Sequence, residues 1–296
     1  MCNVAVLLAA YNGMSWIDEQ IQSILNQKKV NVDIYISVDV STDGTEIFCS
    51  ELSKKNKNII LLPYGEKFGD AASNFYHLIK NVAVENYDYI SFADQDDIWH
   101  EDKLFKATSK LSTGEFSGYS SDVLAFWKDG RTKVVRKSQM QVTYDYLFES
   151  SGPGCTFVIN NSIAIKLREI LINVSETKQI QSHDWFVYAL VRSSECKWYI
   201  DDFLSMKYRQ HDRNQVGVNS GWRTACKRIS MIKNGWYRTQ IIKIADVLDL
   251  KDDIVTKGIA KKGFLSRLIL IRNGNKLRRK VSERIFLLIM IFFGVF

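Results

Sequence analysis

The run Val4-Ala-Val-Leu-Leu-Ala-Ala10 is apolar at every position. A strand without polar alternation has to be covered on both faces, so it belongs inside a sheet with helices above and below. The following residues repeat the theme. Val32–Val38, Ile59–Pro63 and Tyr87–Ala93 read as further strands. Helical patterns over about Ser15–Gln27, Asp43–Lys54 and Asp70–Val84 alternate with them, Ser41 and Thr42 being N-cap candidates for the second. This order predicts an α/β chain with a mostly parallel central sheet flanked by helices, whose ligand sits at the carboxyl ends of the strands. From Asp97 to Arg209 the pattern is less regular. It predicts a helix over Glu101–Leu111, strands near Val123–Trp127, Cys155–Asn160 and Trp198–Asp201, and a helix beginning near His183. Beyond Gly217 the chain reads as helical and basic, closing on the apolar run Ile285–Phe296.

A chain of 296 residues can bury a sizeable core without disulfides or structural metals. The five cysteines (Cys2, Cys49, Cys155, Cys196, Cys226) form no CxxC pair and have no histidine at zinc-finger spacing, and read as reduced cytosolic thiols. No stretch has the roughly 20 continuous apolar residues of a spanning helix, and the N-terminus predicts no signal peptide. The net charge of +7 is local: residues 257–284 carry ten Lys/Arg against the single acid Glu283. The body is therefore close to neutral and slightly acidic, which argues against nucleic acid as a partner.

The sharpest chemical feature follows the fourth strand, in Phe92-Ala-Asp94-Gln-Asp96-Asp97-Ile-Trp99. Three carboxylates within four residues repel one another unless a cation compensates. In extended backbone Asp94 and Asp96 point the same way. Hard oxygen ligands at a strand end suit Mg²⁺ or Mn²⁺, which bridge substrate phosphates; the alternative is a solvated turn capping the next helix. A second cluster, Ser37-Val-Asp39-Val-Ser41-Thr42-Asp43-Gly44-Thr45, ends the second strand. Asp39 is placed to accept from the N–H of a pyrimidine base, while Asp43 and Thr45 read as helix caps.

These clusters, together with Ala9-Ala-Tyr11-Asn12-Gly13, resemble the successive strand-end motifs of glycosyltransferase family 2, whose members have the GT-A fold. Ser151-Gly-Pro-Gly-Cys155, Ser182-His-Asp184-Trp185 and Tyr208-Arg-Gln-His211-Asp-Arg-Asn214-Gln-Val-Gly217 follow in the order seen in rhamnosyltransferase-like members that build bacterial O-antigen and capsular polysaccharide. The resemblance covers residues 3–217. It implies a glycosyltransferase domain over 1–217, with a nucleotide-binding half (1–98) and an acceptor-binding half (99–217), and leaves 218–296 as a basic helical extension. It further implies that Ala10, Tyr11 and Asp39 lie around the base, Gly69 approaches the nucleoside, and Asp94 meets the ribose and metal–diphosphate. Asp96 and His211 would hold the metal, Asp184 would be the catalytic base, and Gly154, Cys155 and Trp185 would line the acceptor site. Family members often carry Asp-Asp-Gly-Ser where this chain has Val38-Asp39-Val40-Ser41, a departure at the base-facing turn.

Attack of an acceptor hydroxyl on an anomeric carbon requires a proton acceptor on one side and charge neutralisation of a leaving diphosphate on the other. Asp184 suits the first role and Asp96, helped by His211 or Arg213, the second. His183 is the rival base, but adjacent helical residues point about 100° apart, so only one faces the sugar. Trp99 and Trp185 each adjoin a proposed catalytic acid, where an indole either stacks on a sugar or packs in the core. The resemblance alone implies dTDP-rhamnose as the donor, with UDP-galactose and UDP-glucose as rivals, and a lipid-linked saccharide as the acceptor. The twelve apolar residues at the C-terminus with their basic flank predict either peripheral attachment to the cytoplasmic face of the inner membrane or packing on the body or a second subunit. A nucleotidyltransferase would need a Gly-rich phosphate loop and a dinucleotide oxidoreductase a GxGxxG; neither follows the first strand. A non-catalytic nucleotide-sugar binding module would leave the strand-end carboxylates without a role.

Overall fold

The apolar run forms β1 (Asn3–Ala10), and its two faces go to two different cores. Val4, Val6, Leu8 and Ala10 pack with Ile17, Ile21 and Ile24 of α1 (Ile17–Leu25) on one side. Ala5 and Leu7 pack with Phe75, Leu78 and Ile79 of α3 (Ala71–Asn81) on the other. The period of two thus delivers apolar side chains to both layers. The structure, a computed structural model, describes residues 1–212, 214, 229–261 and 263–296. Arg213, residues 215–217 of the last motif and Cys226 lie outside the described residues.

β1 pairs in parallel with β2 (Asn31–Val38) and β4 (Tyr89–Asp94), and β2 with β3 (Ile59–Leu61). Beyond β4 the sheet becomes mixed. Its order is β3-β2-β1-β4-β8-β6-β9-β5, with β7 (Thr132–Val135) alongside β6. β8 (Val158–Asn160) is antiparallel to both β4 and β6 (Gly118–Trp127), while β6 and β9 (Trp198–Gln210) run parallel. β5 (Ile98–Trp99) closes antiparallel on β9. The layers are completed by α2 (Thr45–Lys55), α4 (Lys103–Leu111), α5 (Asn161–Asn173) and α6 (His183–Ser193).

Two local expectations change. β9 continues far past Asp201, because the polar pair Asp201-Asp202 is absorbed in a bulge: Ser121 pairs with Asp201 and Asp122 already with Leu204. Beyond it Met206 and Tyr208 are buried while Lys207 is exposed, the alternation of a half-covered strand. At α2 the N-cap position falls on Gly44 (φ +88°) rather than Ser41 or Thr42. Asp43 instead accepts from Met14 N–H and Thr45 N–H, and Thr45 Oγ1 accepts from Gly13 N–H, so both tie the β1–α1 loop to β2's end.

The basic extension forms α7 (Trp236–Val247), α8 (Ile254–Ala260), α9 (Phe264–Arg272) and α10 (Val281–Phe292). Ile241, Ile244, Val255, Ile259, Leu287 and Ile291 join the core that holds α6, so one face of the extension packs on the body. Part of the tail's basicity is consumed there. The Arg279 side chain is fully buried. It donates to Ser150 C=O at 2.7 Å and lies 3.2 Å from Asp145 and 3.4 Å from Glu149. Arg278 donates to Phe148 C=O and pairs with Glu283, and Arg284 donates to the carbonyls of Arg278 and Arg279. Among the described residues no helix is long and apolar enough to cross a membrane.

Removing one partner of a buried ion pair leaves the other charge stranded, at a cost of about 3–5 kcal/mol. Arg279→Met is expected to lower unfolding free energy by about 3 kcal/mol, Arg192 still neutralising part of Asp145. Chemical denaturation of both proteins checks this; a change under about 0.5 kcal/mol would mean the extension is only loosely applied.

Candidate active site

β4 ends at Asp94, and Gln95 and Asp96 already turn. Extended geometry therefore does not govern Asp94 and Asp96. The turn instead swings Asp97 back, so that carboxylate oxygens of Asp94 and Asp97 and the Cys155 sulfur lie within 4.8 Å of one another. Asp97 is fully buried; Oδ1 accepts from Arg209 N–H, and Oδ2 has no partner among the described residues. Burial, then the neighbouring Asp96 charge, pushes the Asp94 carboxyl up to about 7, and burial drives Asp97 well above the usual carboxylate range. Among the described residues no Lys or Arg side chain pairs with any of the three carboxylates. The buried cation nearby is Lys103 of α4, whose Nζ rests over the Trp99 ring at 3.4 Å and 3.3 Å from Ser91 Oγ. Burial brings its pKa down to about 7.

Asp96, whose charge acts on both Asp94 and Asp97, has partners of its own. Its Oδ2 lies 2.7 Å from His211 Nε2 and accepts from Asn214 Nδ2 at 3.2 Å. The His211 ring is stacked flat on Trp16 at the start of α1, centroids 4.0 Å apart and planes 6° apart. Sequence therefore joined the right two residues across 115 positions, but nothing in the local pattern signalled Trp16.

Around the base-facing strand ends, Gln95 holds the Tyr11 backbone from both sides, accepting from its N–H and donating to its C=O. Gly13 leaves room for this amide: a Cβ there would come 2.1 Å from Gln95 Oε1 and displace it. The Tyr11 ring is left exposed. Ala10 contributes little surface: its side chain is in the core and its C=O accepts from Asp39 N–H. Asp39 is occupied as well, Oδ1 accepting from Val40 and Phe68 N–H and Oδ2 from Gly69 N–H. It anchors the loop carrying Gly69 (φ +81°), a backbone shape that glycine adopts freely.

α6 opens with the two candidate bases. His183 is sandwiched against Phe75 and Phe92, its buried Nε2 has no partner among the described residues, and burial lowers its pKa. Asp184 uses Oδ1 to accept from Ser182 Oγ and Trp185 N–H, which leaves Oδ2. Its charge is near enough to raise the Asp94 carboxyl further. Gly154 lies directly against both: a Cβ would come 2.5 Å from His183 Nε2 and 3.1 Å from Asp184 Cβ. Two acceptor-site expectations are corrected. Trp185 is 4% exposed, its Nε1–H donates to Tyr146 C=O and its ring meets Trp236 and Tyr237, so it cannot stack on a sugar. Cys155 is fully buried behind Asp94 and Asp97, and Trp99 is likewise packed in the core.

The donor set fits a hard divalent cation. Among the described residues no Lys or Arg side chain pairs with Asp94, Asp96 or Asp97, and the buried Asp97 Oδ2 has no hydrogen-bond partner. Asp94 and Asp96 would hold the ion, with His211 beside Asp96; a bound cation would return the raised carboxyls to their charged form.

A parallel half ending in an acidic turn, joined to a half of mixed strand direction, is the architecture of a transferase of the GT-A type. Residues 5–167 match the profile of Glycosyl transferase family 2. The chain is 44% identical over 98% of its length to the dTDP-rhamnosyl transferase RfbG of Shigella flexneri, covering all of that protein. It belongs to glycosyltransferase family 2. The solved S. aureus TarS chain superposes over 99% of this chain with a TM-score of 0.57 and 14% identity; the chain spans 53% of it. The mannosyltransferase PcManGT from Pyrobaculum calidifontis, in complex with GDP-Man and Mn2+, superposes over 99% of this chain and 85% of its own with a TM-score of 0.53 and 12% identity. At these identities the likeness shows the fold.

Lys103 gives a test of the electrostatics. A lysine with a folded-state pKa of about 7 binds its proton more weakly than in the unfolded chain, so it opposes folding increasingly as pH falls from about 10 towards 7. Lys103→Met is expected to melt no lower than the parent at pH 7 and to flatten that pH slope. A melting point several degrees lower at pH 7 would instead make the ammonium the counter-ion of Asp97.

Proposed function

We propose that the protein is an inverting, metal-dependent rhamnosyltransferase that moves the sugar from dTDP-rhamnose to a lipid-linked saccharide of a bacterial surface polysaccharide, working peripherally at the cytoplasmic face of the inner membrane. The observation that carries the chemistry is the acidic turn at β4, which no Lys or Arg side chain pairs among the described residues, with the Asp184 charge close enough to act on Asp94. The name of the RfbG relative supports the donor. The nucleotide lies over the ends of β1 and β2, where Tyr11 is exposed and Asp39 orders the Gly69 loop. Asp184 Oδ2 takes the proton from the attacking acceptor hydroxyl as its oxygen bonds to the anomeric carbon, and the bond from that carbon to the diphosphate oxygen breaks on the opposite face, releasing dTDP. His183, kept neutral by burial, shapes the wall beside Asp184. Asp94 and Asp96 would hold a divalent ion, which when bound would supply charge neutralisation for the departing diphosphate.

Incubation of the purified chain with dTDP-rhamnose, UDP-galactose and UDP-glucose, with Mn²⁺ or with chelator, tests the donor. Release of dTDP with Mn²⁺ and its loss in chelator is the expected result; turnover of only a UDP-hexose would overturn the donor assignment. Asp184→Asn keeps the side-chain size and cannot take the proton. Transfer should fall by about 10²-fold or more with donor affinity retained. A crippled His183→Ala beside a fully active Asp184→Asn would transfer the base role to the histidine.

A further inference from the structure

The inward face of the C-terminal extension is spent on the body, and its outward face is not. On α9, Phe264, Leu265 and Leu268 are exposed; the first two are 72% and 75% exposed. On α10, Val281, Ile285, Ile289 and Phe292 recur at intervals of four, four and three, and all four are exposed. That spacing is one stripe of a helix. The two helices pack on one another, and Arg267 reaches across to the end of α10, where a Cβ on Gly294 would come within 2.4 Å of its guanidinium. The stripes therefore belong to one hairpin. Apolar surface of this extent marks an interaction site.

The surrounding charge selects the partner. Lys261, Arg267, Arg272, Lys276 and Lys280 are exposed on this hairpin. From Ile254 to Phe296 the chain has one acid, Glu283, and it is paired with Arg278. An apolar stripe ringed by cations alone matches an anionic lipid surface, which takes aromatic and aliphatic side chains into its acyl boundary and basic groups at its headgroups. We infer that the outward face of the α9–α10 hairpin is the lipid-docking surface of this enzyme. This deepens, and rests on, the peripheral location proposed above. The base of the hairpin is bonded to the segment that ends at the acceptor site: Lys276 C=O accepts from Tyr144 N–H and Arg279 donates to Ser150 C=O, four residues before Gly154. Docking thus holds the Gly154–Asp184 wall in a fixed relation to the lipid surface.

The test is co-sedimentation of the full chain with vesicles of equimolar phosphatidylglycerol and phosphatidylcholine, and with phosphatidylcholine alone. The full chain should pellet with the anionic vesicles, and binding should weaken with salt. The double variant Leu265→Asp/Phe292→Asp, and separately Arg272→Ser/Lys280→Ser, should each lose about tenfold or more in vesicle affinity with unchanged melting curves and donor turnover. If the full chain binds and neither variant is impaired, this surface is wrong while peripheral location stands. If the full chain binds neither vesicle, both fall. A full-chain dimer that Leu265→Asp/Phe292→Asp splits, without vesicle binding, would make a second copy the occupant and overturn the lipid assignment.

Discussion

Like-charged carboxylates packed at the end of β4 set the conditions for the rest of the molecule. Asp94, Asp96 and Asp97 crowd one turn, and two of them sit in surroundings that raise their pKa. A fold retains such a cost where something cationic is to be bound. The neighbouring elements are arranged around that charge. β9 returns to give Asp97 a backbone N–H from Arg209 and Asp96 a histidine, and α6 brings in Asp184.

Much of the surrounding polarity serves position rather than contact with ligand. Asp39, Asp43, Thr45 and Gln95 spend their hydrogen bonds on loop backbones. These bonds fix three strand-end loops relative to one another and leave the Tyr11 ring exposed beside them. The same economy appears in the extension, where Arg278 and Arg279 hold the segment before Gly154 while exposed lysines and arginines remain outside.

Much of this was legible in the sequence. The strands and helices of the first half, the acidic turn and the split of a neutral body from a basic tail all follow from local pattern, whereas the Asp96–His211 partnership was implied only by the family resemblance. Trp185 was misplaced because adjacency to a reactive residue says nothing about which side of a helix faces the cleft, and Cys155, placed by the family resemblance, is buried. Trp185 follows Asp184 by one position, about 100° round α6, and that rotation puts it in the core. β9 was cut short because two consecutive aspartates look like an end, whereas a bulge accommodates them.

The amino-acid sequence by itself determined which segments could be covered on both faces, and therefore the α/β sheet with its polar strand ends. It also determined the residue types available there, since composition and period of two are local properties. Tertiary structure alone decided which carboxylates meet, which are turned away, and that Trp16 supports His211 and Gly154 abuts Asp184. Those are contacts between residues far apart in the chain, fixed by how helices and strands pack. It also decided that the tail is two-sided, arginines inward and apolar stripe outward. A helix's charge and hydrophobicity are written in its sequence, but which face meets the body depends on the buried acids, Asp145 and Glu149, that wait there.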